Sequence, residues 1–287
     1  MPRYAYVNGQ YLPHDQAAVH IEDRGYQFAD GVYEVVPVAG GLAVDEIPHL
    51  DRLERSLAEL RIAMPMSRRA LEIVCRELLR RNGIRNGLIY IQVTRGVAPR
   101  NHSFPAHARP ALVMTTKRMN FDGQSKFRDG VAVISAPDLR WARRDIKTIN
   151  LLPNCLAKQA ALEAGAYEAI QVDAEGKVTE GTSSNAWIVT KDGMLVTRQL
   201  SNDILHGVTR RTILAIAMEE GIAFEERPFT VPEAQGAREA FVTSATSFVT
   251  PVVEIDGKRI GDGKPGLLSQ RLLSWYRDYM AGLRDGA

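Results

Sequence analysis

Alternating and helical hydrophobic patterns follow one another along the first third of the chain. Tyr4, Tyr6 and Val7 precede the turn pair Asn8-Gly9, which predicts a β-hairpin. The β-branched and aromatic run Gly31–Val38 predicts a further strand. Apolar residues then recur at helical spacing over Ser67–Gly83, so we expect an amphipathic helix that Ser67 caps and Gly83 ends.

Two more strands and a long loop follow this helix. Leu88–Thr94 and Ala111–Thr116 carry apolar residues at every second position, and the proline-interrupted loop Arg95–Arg109 joins them. Periodicity is lost over Phe121–Ser125, which is typical of a linker. We therefore expect an N-terminal α/β domain of residues 1–120, an interdomain linker of residues 121–125 and a C-terminal domain of residues 126–287.

The second half mixes strands and helices without a regular strand-helix-strand rhythm. Hairpin turns are predicted at Glu175-Gly176 and Asp192-Gly193, and helices over Asn154–Glu163 and Val208–Glu220. Such a pattern favours two α/β lobes with antiparallel or mixed sheets over a doubly wound parallel fold.

The composition and net charge indicate which kinds of partner the protein binds. The chain has 287 residues, 45% of them hydrophobic, and a formal net charge of +2, so it has ample material for a core and no charge excess that favours nucleic acid or an anionic membrane. Two cysteines support neither a disulfide framework nor a metal site, and no apolar run approaches the ~18 residues of a membrane span. We expect a cytoplasmic protein that binds small molecules and no metal.

One lysine stands out from the eight in the chain. Lys147 precedes an apolar stretch, where burial would favour the neutral, nucleophilic amine, although a strand lysine that extends to water is the simpler interpretation. Taken alone, Glu180 is likewise an ordinary hairpin carboxylate. The Gly-rich string Gly261–Gly266 lacks the strand-helix-strand context of a nucleotide site and is expected to be a loop.

Three segments in a fixed order carry a family resemblance. Asp145–Leu152, Thr179–Asn185 and Leu205–Arg211 together resemble the class IV aminotransferases, the fold-type IV pyridoxal-phosphate enzymes, and the resemblance runs from Tyr6 to Gly266. It implies a two-lobed α/β fold with a smaller N-terminal α/β lobe and a larger C-terminal pseudo-barrel lobe. The cofactor that it implies is pyridoxal 5'-phosphate.

The resemblance assigns roles to residues of these segments. Lys147 corresponds to the lysine that bonds the cofactor covalently and moves the substrate's α-proton, and Glu180 to the carboxylate that pairs with the pyridine nitrogen. The residues that correspond to the phosphate ligands are Arg52, Gly207, Val208, Thr209 and Thr246.

Other roles remain open for the phosphate ligands. Gly207, Val208 and Thr209 precede a helix, whose N-terminus suits a dianion, although Thr209 could simply cap that helix. Arg52 could form surface ion pairs within its helix, and Thr246 could be an ordinary turn threonine.

Substrate handedness is implied by two further segments. Ile21–Glu34 and Arg95–His102 resemble the family members that act on D-amino acids, in which Tyr33, Arg100 and His102 would bind the substrate carboxylate. Arg100 and His102 would reach the active site of the neighbouring subunit, which implies a homodimer. Without the resemblance, both would be solvated loop residues, and Glu34 receives no role.

The function implied is a ping-pong transfer of an amino group from a D-amino acid such as D-alanine to a 2-oxo acid such as 2-oxoglutarate. Branched-chain L-amino-acid aminotransferases, (R)-amine transaminases and aminodeoxychorismate lyases share the fold and remain alternatives, because only the carboxylate-binding loop separates them. A catalytically inactive protein that binds pyridoxal phosphate is the non-enzyme alternative.

Overall fold

Two units divide the chain in the computed structural model, which describes residues 3–121 and 123–285. The first takes in the chain up to Phe121 together with the segment Ile146–Asn150, and the second takes in the rest up to Asp145 and from Leu151 onward. The local sequence pattern did not indicate that Ile146–Asn150 joins the first unit. The domain limits expected from the sequence stay a prediction.

The first unit combines one sheet with three helices. Its strands are β1 (Tyr4–Val7), β2 (Gln10–Pro13), β3 (Gly31–Ala39), β4 (Leu42–Ala43), β5 (Gly87–Thr94) and β6 (Ala111–Arg118). Its helices are α1 (Arg24–Phe28), α2 (Glu46–Glu59) and α3 (Arg68–Asn82). The strands form one antiparallel sheet in the order β2-β1-β6-β5-β3-β4.

Local sequence signals account for these elements. Asn8 and Gly9 form the β1–β2 turn with positive φ values of 46° and 100°, which a short hairpin turn requires. Ser67 accepts a hydrogen bond from the Ala70 N–H at 3.3 Å at the start of α3, and Gly83 ends it at a φ of 58°. The inward faces of α2, α3 and the sheet form one hydrophobic core.

The second unit is mixed α/β. Its strands are β7 (Val131–Pro137), β8 (Glu168–Val172), β9 (Val178–Gly181), β10 (Asn185–Val189), β11 (Leu195–Thr197), β12 (Phe224–Glu226), β13 (Glu239–Ser244), β14 (Phe248–Ile255) and β15 (Lys258–Arg259). Its helices are α4 (Ser125–Arg128), α5 (Leu152–Glu163), α6 (Val208–Glu219), α7 (Val231–Gln235) and α8 (Leu267–Asp285).

These nine strands form a single sheet around an apolar core. The order is β12-β11-β10-β13-β14-β7-β8-β9, with β15 paired to β14, and the pairs β11/β12, β14/β7 and β7/β8 are parallel while the others are antiparallel. The predicted mixture of parallel and antiparallel strands is confirmed. Among residues 3–121 and 123–285, no helix has the length and apolar character that a bilayer crossing requires.

Candidate active site

Lys147 lies in an extended segment held against strand β3. The Tyr33 N–H donates to the Lys147 carbonyl at 3.0 Å, and the Ile149 N–H donates to the Gly31 carbonyl at 3.1 Å. Ile146, only 4% exposed, packs into the core of the first unit and anchors the segment. Lys147 lies outside the strands of the sheet, and its side chain is half-buried.

The Lys147 side-chain nitrogen lies beside the first ring of an aromatic pair. Its Nζ lies 4.3 Å from the centroid of the Tyr33 ring, and the Tyr33 ring stacks on Tyr90 at 5.7 Å. Burial, together with Tyr33, raises the pKa of Tyr90 to about 12, so its hydroxyl stays protonated at neutral pH. The structure thus brings together the predicted nucleophile and one predicted substrate ligand.

Arg52 is buried within the first unit and pairs with Glu34. Its Nε and one terminal nitrogen donate to the two Glu34 carboxylate oxygens at 2.7 and 2.8 Å, and the His49 Nδ1 lies 2.8 Å from the same carboxylate. Burial would raise the pKa of Glu34, but Arg52 and His49 outweigh it and hold that pKa at about 2. The surface ion pairs considered for Arg52 are absent from the contacts described, and Asp51 instead pairs with Arg68.

Arg100 and His102 lie on the exposed loop between β5 and β6. The Arg100 guanidinium is 4.8 Å from the centroid of the Phe28 ring, and the His102 ring is 5.4 Å from it. Both side chains are exposed. Among the residues that the structure describes, no contact joins either of them to Tyr33 or Lys147 of the same chain.

Glu180 is the buried carboxylate of the second unit. It pairs with Arg140, and its Oε2 accepts hydrogen bonds from the Asn185 side chain at 3.1 Å and the Leu205 N–H at 3.0 Å. Burial raises the pKa of Glu180, the nearby Asp138 adds to this, and Arg140 counters it only in part. Glu180 is therefore a buried acid whose ionised form a further cation would stabilise.

The N-terminus of α6 lies beside Glu180. Gly207 is the N-cap residue of this helix and provides no side-chain hydrogen bond, and the first-turn residues Val208, Thr209 and Arg210 are all buried. Buried first-turn N–H groups without a capping side chain are suited to an anion. Thr209 is the second helical residue, so its alternative role as the cap is wrong.

Asn185 contacts both Glu180 and the segment that leads into α6. Its side-chain nitrogen donates to Glu180 and to the Leu205 carbonyl, and a Cβ added to Gly207 would lie 2.0 Å from its Oδ1. Asn185 also pairs in register with Thr243 on β13, the strand that leads into the turn carrying the half-buried Thr246. Glu180, Gly207 and the strand that leads to Thr246 therefore meet around Asn185 at one end of this sheet.

Several residues of the site were missed from the sequence. Arg140 donates to both Asp138 and Glu180 and so controls the charge of the latter, and Asn185 received no role although it ends a motif that was recognised. His49 and Ser56 share the inward helical face of Arg52, and this i, i+3, i+7 spacing was a usable signal of burial.

Comparisons with known proteins decide the family. The family model described as amino-transferase class IV matches residues 31–255. The chain belongs to the class IV aminotransferases. The resemblance on which the sequence prediction rested is thereby confirmed, and the matched range contains every predicted site residue.

Named relatives and solved structures are similar over nearly the whole chain. A D-alanine aminotransferase of Staphylococcus haemolyticus is 42% identical over 275 residues, covering 96% of this chain and 97% of that one. One of Bacillus licheniformis is 42% identical over 265 residues, covering 92% and 93%. Among solved structures, a T.th. branched-chain amino acid aminotransferase with pyridoxamine 5'-phosphate has a TM-score of 0.91 at 25% identity, covering 98% and 95%.

The same fold recurs in a more distant structure. The Escherichia coli branched-chain amino acid aminotransferase superposes with a TM-score of 0.88 at 23% identity, covering 95% of this chain and 92% of that one. The predicted fold-type IV architecture is therefore confirmed. Because this class IV fold carries more than one substrate specificity, the substrate has to be argued from side chains.

Proposed function

We propose that the chain transfers the amino group of a D-amino acid such as D-alanine to a 2-oxo acid such as 2-oxoglutarate. The supporting observation is the pairing of Lys147 with Tyr33 in the first unit, together with a loop that carries Arg100 and His102. This is the function that the sequence motifs predicted. Its curated relatives at 42% identity bear the name of the same activity.

Pyridoxal 5'-phosphate is the cofactor, and when bound it supplies a ring that accepts negative charge from the substrate Cα. The structure suits this group in two respects. The buried N-terminus of α6 lacks a side-chain cap and can take a phosphate, and Glu180 is a buried acid that a protonated ring nitrogen would keep ionised.

Lys147 would hold the cofactor covalently and would move the proton of the substrate Cα. The Tyr33 ring beside its Nζ and the buried Ile146 hold the amine in one place, so that one group acts as nucleophile and then as base. Glu180 would pair with the pyridine nitrogen, and Asn185 and the Leu205 N–H fix the orientation of its carboxylate.

Five residues are proposed to bind the phosphate. Arg52 supplies a cation that Glu34 orients, and the α6 terminus supplies N–H groups in a buried setting. The Thr209 and Thr246 hydroxyls add donors. The complete set is Arg52, Gly207, Val208, Thr209 and Thr246.

The substrate carboxylate is proposed to bind Tyr33 of one subunit together with Arg100 and His102 of its neighbour in a homodimer. A guanidinium binds a carboxylate through two parallel hydrogen bonds, which suits Arg100 to this role. The dimer is supported by exposed apolar side chains around the loop: Ile21 is 77% exposed, Tyr26 77%, Val97 45% and Phe104 54%.

Subunit mixing tests the shared site. Lys147→Ala should abolish and Arg100→Ala should weaken the activity of a homodimer on D-alanine. Mixed dimers of the two variants contain one site with both wild-type groups, so we expect up to about half of the wild-type activity per hybrid. Mixtures that stay inactive would contradict an active site built from two subunits.

Steady-state turnover tests the function itself. Protein loaded with pyridoxal phosphate should release pyruvate from D-alanine in the presence of 2-oxoglutarate, and Lys147→Ala should abolish both this activity and the absorbance of the lysine-bound cofactor. Turnover of L-leucine in place of D-alanine would assign the chain to a different specificity on the same fold.

We propose the cytoplasm as the location of the protein. Cys75 and Cys155 are both free thiols, the former buried and the latter exposed, and a reducing compartment preserves such thiols. Fractionation of producing cells, with activity found only in the cytoplasmic fraction, is the expected result.

A further inference from the structure

We propose that Arg24 is a positioning residue that fixes the loop carrying Arg100 and His102, and thereby sets the affinity for the substrate carboxylate. The proposal rests on the proposed function of these two residues. It assigns a role to a buried arginine in α1 that contacts neither the cofactor-binding residues nor Lys147 among the contacts described.

Arg24 donates a hydrogen bond to the backbone in the middle of the loop. It is 3% exposed, its Nε donates to Asp30 at 2.7 Å, and a terminal nitrogen donates to the backbone carbonyl of Asn101 at 2.5 Å. Asn101 is the residue between Arg100 and His102, so this hydrogen bond fixes the backbone that separates the two side chains. The loop would otherwise be an exposed segment with mobile side chains.

The Phe28 ring acts together with Arg24. The guanidinium groups of Arg24 and Arg100 each lie 4.8 Å from its centroid, and the His102 ring packs at 5.4 Å. Both carboxylate ligands therefore rest on one aromatic side chain of the same short helix that supplies Arg24. Such contacts limit the rotamers that exposed Arg and His side chains would otherwise sample.

Asp30 connects Arg24 to the sheet. Arg95 also pairs with Asp30, at 2.7 and 3.0 Å, donates to the Leu60 and Arg61 carbonyls, and stacks on Phe104 at 3.6 Å. Asp30 directly precedes β3, the strand that carries Tyr33. Since Arg95 keeps Asp30 paired when Arg24 is removed, the effect of an Arg24 substitution should fall on the loop and not on the fold.

The test compares Arg24→Met with the matched surface variant Arg80→Met, whose arginine pairs with Glu77 on the exposed face of α3. For Arg24→Met we expect the KM for D-alanine to rise about tenfold while kcat changes less than about twofold, because a positioned charge-assisted contact is lost and the chemistry is not. Inhibition by propionate, which shares only the carboxylate with D-alanine, should weaken in parallel.

Two further measurements separate positioning from general damage. Amide exchange of residues 96–109 should accelerate in Arg24→Met and not in Arg80→Met, and the cofactor absorbance should remain that of the wild type. Phe28→Leu leaves the Arg24–Asp30 pair intact and should raise KM in the same direction, so it carries the test if Arg24→Met fails to fold.

Each outcome decides the proposal. A KM within about twofold of wild type in both Arg24→Met and Phe28→Leu overturns it, since positioned contacts are worth more than that. Equal changes in kcat and KM, with loss of cofactor absorbance, also overturn it by showing a general structural role. A wild-type protein that does not turn over D-alanine overturns the proposed function and this inference with it.

Discussion

Two buried carboxylates, one in each unit, illustrate how the same residue type serves opposite tasks. Glu34 faces Arg52 and His49, and its pKa is held at about 2, whereas Glu180 shares Arg140 with Asp138, and its pKa is raised. Arg52 donates to both oxygens of Glu34, and the low pKa keeps this carboxylate ionised. Arg140 also pairs with Asp138, and a further cation near Glu180 would stabilise its ionised form.

Burial raises the pKa of each carboxylate, and Arg52 and His49 outweigh this effect at Glu34, whereas Arg140 offsets it only in part at Glu180. Arg52 donates to both oxygens of Glu34, which suits a carboxylate that orients a cation. Arg140 divides its nitrogens between Asp138 and Glu180, so that a protonated ring nitrogen can complete the charge balance at Glu180. We therefore predict that the first acid stabilises the site and that the second takes part in the chemistry.

Glu180→Gln should have the largest effect on activity. The amide keeps an acceptor for Asn185 and Leu205 but cannot stabilise a protonated ring nitrogen, so kcat should fall by about 10²–10³-fold. Stopped-flow rates of amino transfer from D-alanine measure this loss. A variant with at least half of the wild-type rate would remove Glu180 from the chemistry.

Glu34→Gln should have the largest effect on stability. It leaves Arg52 buried without its anionic partner, and breaking a buried pair in this way lowers the free energy of unfolding by roughly 3–5 kcal/mol. Urea denaturation gives the value, with Glu77→Gln on the exposed face of α3 as the control that should unfold like the wild type. Equal stability of Glu34→Gln and the control would contradict a structural role for Glu34.

The two carboxylates should change the pH dependence of the unfolding free energy in opposite directions. The lowered pKa of Glu34 contributes stability above its ordinary value of 4.5, and this stability is lost as the pH falls towards 2. The raised pKa of Glu180 acts in the opposite direction, with stability that is lost as the pH rises through the folded-state pKa. Glu34→Gln should therefore flatten the decline in unfolding free energy between pH ~4.5 and ~2, and Glu180→Gln should not.

Gly207→Ala should have the smallest effect of the four. The new Cβ would lie 2.0 Å from Asn185 Oδ1 and must displace a side chain that also holds Glu180. We expect about a tenfold weaker affinity for pyridoxal phosphate, measured by equilibrium titration, because overpacking of this kind costs about 1–3 kcal/mol. Unchanged affinity would show that Asn185 does not couple the α6 terminus to Glu180.

Local signals predicted much of the fold. Ser67, Gly83 and Asn8-Gly9 act through hydrogen bonds and φ values that depend on neighbouring residues, and the structure places them as predicted. Lys147 and Glu180 were found from motifs, and their roles stay predictions. Arg140 and Asn185 were missed because their importance depends on which strands lie side by side, a property of tertiary structure that no local pattern records.

Substrate handedness is tested most directly by a single-turnover measurement. The purified protein, loaded with pyridoxal phosphate, is mixed separately with D-alanine and L-alanine, and the cofactor absorbance is followed without a 2-oxo acid. The carboxylate ligands Tyr33, Arg100 and His102 predict bleaching by D-alanine and little by L-alanine. Preferential bleaching by L-alanine would contradict the proposed specificity while leaving the family assignment intact.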